Sequence, residues 1–209
     1  MEKETKILFG IIAVIVAGMI GVFVTFNKSG TSTTVDSGKL VRADSQKEGT
    51  GPVQLVEFGD YQCPSCGAAH PTTQKILKDF EGKVTFVFRN FPLETIHKNA
   101  MVAAKYAQAS SKQNKFWEMH NKLYESQTEW SELADPTTKF AEYAKALGMN
   151  ADQLKKDANE SAVADYIKRD MDDGTALSVT GTPTFFVNGK QVAKNDYESL
   201  KSAIEAAQK

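Results

Sequence analysis

Phe58-Gly59-Asp60-Tyr61-Gln62-Cys63-Pro64-Ser65-Cys66-Gly67-Ala68-Ala69-His70-Pro71 holds the only two cysteines of the 209-residue chain. An apolar run, Val53 to Phe58, precedes it and reads as a strand. Behind it Ala69, Thr73, Ile76, Leu77 and Phe80 recur at helical spacing. The pair therefore sits where a strand hands over to a helix. Cys63 takes the N-cap and Pro64 the first helical position, where a missing N–H is harmless and the fixed φ suits the helix. A sulfur at a helix N-terminus faces unpaired N–H groups and the positive end of the helix dipole, which favour thiolate over thiol. Cys63 is expected to be the nucleophile. Cys66, one turn on along the same face, is expected to be the more buried, resolving thiol, within reach of a disulfide.

Three other readings compete. A structural disulfide closing so short a loop adds little stability, because the entropic gain grows with loop length. Zinc needs about four ligands, and only His70 follows at plausible spacing. A c-type haem wants histidine directly after the second cysteine, where Gly67 stands. Redox use is favoured over all three.

Composition is that of an ordinary globular chain: 41% apolar, 24% charged, net charge −1. Such a balance gives no reason to expect nucleic acid as a partner. Residues 1–6 form a short lead. Residues 7–26, ILFGIIAVIVAGMIGVFVTF, carry no charge, and twenty residues at about 1.5 Å each span roughly the 30 Å hydrocarbon layer. This run exceeds a signal-peptide h-region and no A-x-A-like site follows, so an uncleaved transmembrane signal-anchor is favoured over a cleaved signal. Lysines and arginine on both sides leave the positive-inside rule undecided; a single N-terminal anchor most economically exports the domain behind it. Residues 27–51, rich in Ser, Thr, Gly and Lys, read as a flexible linker with an r.m.s. reach of about 25–30 Å.

Residues 52–209 read as one α/β domain. A second strand at Val84 to Phe88, ended by Arg89, completes a strand–helix–strand unit and implies a parallel pair. From about 97 to 177 the pattern is helical, a subdomain inserted after that unit. Thr182-Pro183-Thr184-Phe185-Phe186-Val187 then leads through Asn188-Gly189 into Lys190-Gln191-Val192, a hairpin signal, and Tyr197 to Ala207 forms a closing helix. Asp170, Asp172, Asp173 and Gly174 lack most ligands of a calcium loop and read as a solvated acidic turn. His70 reads as a helix-surface group near the pair, and His120 as semi-buried.

This order of motifs resembles the DsbA-like branch of the thioredoxin superfamily, from Val53 to the end of the chain. It is closest to membrane-anchored members carrying Phe-x-Asp-Tyr-x-Cys-Pro-x-Cys and then His-Pro, here Phe58, Asp60, Tyr61, Cys63, Pro64, Cys66, His70 and Pro71. The resemblance implies a thioredoxin-like fold with an inserted helical subdomain, preceded here by one transmembrane helix. It implies an extracytoplasmic thiol:disulfide oxidoreductase that usually donates a disulfide to exported proteins. Re-oxidation would come from a quinone-linked membrane partner of the DsbB or vitamin K epoxide reductase type. No cofactor is implied beyond the Cys63–Cys66 disulfide itself. Pro183 matches the family's cis-proline, which faces the pair and helps hold extended substrate, and Thr182 matches the position that contacts the sulfurs.

Glu57 matches a position where an acid lies below the site and is expected to accept the Cys66 proton; the competing reading is a solvated strand-end carboxylate. Arg89 is a weaker candidate to pair with it. Ser65 departs from the family: the best-known oxidases have histidine there, which further stabilises the thiolate. Its loss makes the disulfide less oxidising and leaves a reductase or isomerase as the alternative direction. A non-catalytic anchored chaperone is the alternative from another class.

Overall fold

The computed structural model describes residues 37–209. The apolar runs β2 (Val53–Gly59) and β3 (Val84–Asn90) lie parallel, with Val53 beside Val84 and Gly59 beside Asn90. Around them stand β1 (Gln46–Glu48), β4 (Thr184–Val187) and β5 (Lys190–Gln191), in the sheet order β1-β3-β2-β4-β5. Among the described strands only the β2–β3 pair is parallel; β1, β4 and β5 join antiparallel. Asn188 and Gly189, both at positive φ, make the tight turn between β4 and β5.

Helix α1 (Ser37–Leu40) precedes the sheet, and α2 (Pro64–Asp79) joins β2 to β3. The insertion contains α3 (Ala100–Ser110), α4 (Phe116–Glu125), α5 (Gln127–Trp130), α6 (Thr137–Ala146), α7 (Ala151–Ala158) and α8 (Ser161–Ala176). The chain closes on α9 (Tyr197–Ala207), whose N-cap Asp196 accepts the Ser199 N–H at 2.8 Å.

Alternation along the central strands sorts the core into two faces. Val53, Leu55 and Phe86 join one cluster with Ile76 of α2, Leu200 and Ile204 of α9 and the aromatic residues of the insertion. Val56, Phe58 and Val87 join the other with Leu40 of α1 and Leu177 just after α8. Glu57 pairs with Phe88 and so belongs to the first face; Arg89 pairs with Phe58 and belongs to the second.

That parity corrects two expectations. Arg89 does not meet Glu57. It is fully buried and donates from Nε to Asp170 at 2.7 Å and from Nη2 to Asp173 at 2.6 Å. Its Nη1 donates to the carbonyls of Lys39 and Leu40 at 2.6 and 2.7 Å. Nor is the acidic run a solvated turn: Asp170 and Asp173 are buried on α8 and only Asp172 is at the surface, paired with Lys168.

The linker expectation for 27–51 is corrected over its described part. Leu40 is buried, Arg42 holds both oxygens of Asp173 at 2.6 and 2.7 Å, and β1 pairs with β3. Polar composition hid these contacts because the segment docks through charge and backbone pairing more than through apolar bulk. The anchor expected at 7–26 lies outside the described residues. Among the described residues no helix is long and apolar enough to cross a membrane.

Removing one member of a buried charge cluster leaves the others uncompensated. Arg89→Met is expected to destabilise the chain by about 3–5 kcal/mol, read from denaturant unfolding. Lys168→Ala, which breaks the exposed Lys168–Asp172 pair, should cost less than about 1 kcal/mol.

Candidate active site

The site forms where β2 ends. Cys63 is the N-cap of α2 with extended backbone (φ −66°, ψ 121°), and Pro64 opens the helix. The Cys63 carbonyl accepts the N–H groups of Cys66 and Gly67 at 3.0 and 3.1 Å. Cys63 is 6% exposed and Cys66 fully buried, while Pro64 and Ser65 face solvent. Both cysteines are present as free thiols.

The loop before Cys63 is pinned by the Asp60 carboxylate. It accepts the Gln62 N–H at 2.7 Å and the Leu93 N–H at 2.9 Å, and stands 2.7 Å from His97 Nδ1. Gln62 in turn accepts the Asn99 N–H at 2.6 Å and donates to the Ser131 carbonyl at 2.7 Å. The turn is thus fastened both to the end of β3 and to the insertion. Opposite it, the Thr182–Pro183 peptide bond is cis, and the Cys63 thiol donates to the Thr182 carbonyl at 3.4 Å. The Thr182 hydroxyl is buried with no hydrogen-bond partner among the described residues, which leaves it free to donate once Cys63 ionises. Pro183 and Thr182 therefore stand beside the pair, together with Ser65, on the wall of a cleft of about 440 Å³ that continues past Lys194 and Asn195.

Opposite shifts act on the two thiols. Cys63 is pulled down to about 5, first because the Cys66 thiol donates to its sulfur, then through Thr182 and the N–H groups of Cys66 and Ser65, all against the opposing effect of burial. Cys66 is pushed well above the usual thiol range, first by burial, then because its proton is held by Cys63, then by charge on Glu57 and Cys63. The helix N-terminus contributes as its position suggested, but the neighbouring thiol contributes more. Glu57 is 2% exposed and pushed up to about 8, by burial first and by the Cys63 charge second. It is a buried acid on the same sheet face as the pair, not a solvated strand end.

Below the pair lies an aromatic layer. The Tyr61 hydroxyl is 3.0 Å from His120 Nδ1, and both are buried. His70 is 5% exposed, stacks on Tyr124 with ring centroids 5.1 Å apart, and is held down to about 4 by burial. The expectation of a surface His70 is corrected: it lies on the inward face of α2, one turn after Cys66, and packs against the insertion.

Gln127, from α5, donates to the carbonyls of Tyr61 and Cys63 at 2.7 and 2.9 Å. Nothing local in the sequence marks it, since it stands 64 residues from Cys63 and only the folded insertion brings it there. Gly67 carries a faint signal, because a side chain there would meet Gln127 Oε1 at 2.7 Å.

Residues 48–206 match the family described as Thioredoxin. A probable disulfide bond formation protein D from Bacillus cereus is 31% identical over 210 residues, covering 95% of this chain and 93% of that protein. The crystal structure of oxidised BdbD from Bacillus subtilis has a TM-score of 0.70 at 31% identity, covering 78% of this chain and 91% of that one. The Na⁺/H⁺ antiporter NhaA 1 of Salinispora arenicola is 38% identical over 157 residues, 75% of this chain. This chain spans about a quarter of the length of such antiporter relatives, 23% in that case. A family match over most of the chain, a relative aligned nearly end to end and a cysteine pair at the start of α2 lead to one assignment: the chain belongs to the thioredoxin family and is similar over nearly its whole length to a disulfide bond formation protein.

Proposed function

We propose that the protein is a disulfide donor to exported proteins, tethered to the membrane by residues 7–26 with its catalytic domain outside the cytoplasm. The observation that carries the donor direction is the placement of the pair, Cys63 at the N-cap of α2 and Cys66 fully buried one turn inside it, which pulls the first thiol down and pushes the second up. In the donor direction a substrate thiolate attacks Cys63 Sγ and the Cys63–Cys66 bond breaks. Its electron pair leaves on Cys66, which takes up a proton. Glu57, protonated below about pH 8, is the buried acid on that face to supply it, and in the reverse direction to receive it. A second substrate thiolate then attacks the substrate sulfur of the mixed disulfide, forms the product disulfide and expels Cys63. A low-pKa thiol is the better leaving group, so the final step favours release.

Magnitude supports the direction. At neutral pH a thiol titrating near 5 rather than 9 stabilises the reduced form by about two pH units, about 2.7 kcal/mol or about 60 mV. Ser65, where a histidine would add to this, holds the poise below that of the strongest oxidases and keeps an isomerase-like role as the second reading. After each turnover the dithiol needs an oxidant; a quinone-linked membrane protein of the DsbB or vitamin K epoxide reductase type fits a tethered donor. The cleft beside Pro183 is the place for an extended substrate segment.

The oxidised full chain is expected to transfer its disulfide to a reduced, unfolded thiol protein in one turnover. Cys63→Ser should abolish transfer; on the chaperone reading the parent chain transfers no disulfide and Cys63→Ser keeps its activity toward unfolded protein. Cys66→Ser, supplied as a mixed disulfide at Cys63, should release product only on attack by a second substrate thiol.

Glu57→Gln gives a test through pH. The folded carboxyl titrates near 8, well above an unfolded glutamate near 4.3, so between these values the folded state holds the extra proton and stability falls as pH rises. Glu57→Gln should therefore stabilise the protein by an amount growing from about pH 4.5 to about pH 8, while slowing exchange. A stability difference flat across that range contradicts the burial of an ionisable Glu57.

A further inference from the structure

Gln127 is half-buried at the start of α5, on the insertion, yet its side chain ends on the strand-to-helix turn that carries Cys63. A primary amide has two N–H donors, and both are used here, one on the Tyr61 carbonyl at 2.7 Å and one on the Cys63 carbonyl at 2.9 Å. With two carbonyls as neighbours the amide has one sensible orientation, because its oxygen would repel either acceptor. That oxygen instead lies over Gly67, 2.7 Å from where a Cβ would stand. The first turn of α2 is therefore shaped around this side chain.

We propose that Gln127 is a positioning residue for thiol–disulfide exchange, whose two amide N–H groups hold the Tyr61 and Cys63 carbonyls so that the turn presents its backbone N–H groups to the Cys63 sulfur. Three features argue for this role beyond packing. The Cys63 carbonyl is shared among Gln127 and the N–H groups of Cys66 and Gly67. Rotation of that peptide would thus move the donors nearest the sulfur. The Cys63 carbonyl is also a negative dipole end close to its own thiolate, and a donor seated on it reduces that repulsion. Finally, the segment is held rigidly from the far side: Ser126 and Trp130 are buried on either side of Gln127, and Trp130 Nε1 donates to the Leu123 carbonyl at 2.9 Å. The insertion therefore reaches the Cys63 turn through one side chain.

This inference rests on reading the pair as an exchange site. Its test is the ultraviolet titration of the Cys63 thiolate in the reduced full chain, beside single-turnover exchange with glutathione and thermal unfolding. Gln127→Met keeps length and bulk but removes both donors; Gly67→Ala keeps Gln127 but pushes its amide off the turn. Each is expected to raise the Cys63 midpoint by about one pH unit, and the pH profile of exchange should move with it. Gln127→Ala should shift the midpoint as much as Gln127→Met and lose more thermal stability.

A midpoint unchanged in Gln127→Met and Gly67→Ala, with stability alone reduced, overturns the positioning role while leaving the exchange reading intact. A parent chain with no exchange activity overturns both. Should Gln127→Ala not fold, the decision stands on Gln127→Met and Gly67→Ala.

Discussion

Everything in this molecule depends on the parallel register of β2 and β3. Because neighbouring side chains on a strand point to opposite faces, setting Val53 beside Val84 assigns each later residue to a side. Glu57 and Phe88 fall toward α2, and Phe58 and Arg89 toward α1 and α8. A one-residue slip of β3 would turn Arg89 to the thiol side, and the same slip of β2 would turn Glu57 toward Asp170 and Asp173. Register is strongly specified where faces differ this much. The two faces differ in kind: one carries an uncompensated acid and a reactive thiol, the other a buried arginine satisfied by two carboxylates and two carbonyls.

The chemistry grows out of that arrangement. The end of β2 delivers Cys63 to the N-terminus of α2, at the surface edge of the thiol face, and places Cys66 one turn inside it. The same burial that raises Cys66 and Glu57 would raise Cys63 too, were its sulfur not surrounded by donors. Local polarity outweighs burial at one thiol and loses at the other, over a distance of one helical turn. The outcome is a leaving group beside a proton-holding partner, the asymmetry that disulfide donation uses.

Much of this is legible in the sequence, for identifiable reasons. Cys63 at the cap and Pro64 behind it are local signals, as are the Asn188-Gly189 turn and the bounds Tyr197–Ala207, which the structure reproduces. The features that escape sequence reasoning depend on partners distant in the chain. Asp170 and Asp173 look like a wet acidic run until Arg89 and Arg42 are brought against them. Residues 37–51 look like tether because polar segments that dock by ion pairs and a short edge strand leave no hydrophobic period to read. His70 looks like a surface group because a polar residue inside a helical stripe gives no sign of the aromatic layer that covers it. Gln127 has no local signal at all.

The central claim is that the environment of Cys63 stabilises the dithiol and so makes the disulfide oxidising. The equilibrium reduction potential of the Cys63–Cys66 pair in the full chain, measured against glutathione, tests it most directly. A thiolate titrating near 5 rather than near 7, as in thioredoxin, places the pair about 50 mV above the thioredoxin value of about −270 mV, that is, at about −220 mV. A potential at or below about −270 mV would contradict the account and make the protein a reductant on the same scaffold.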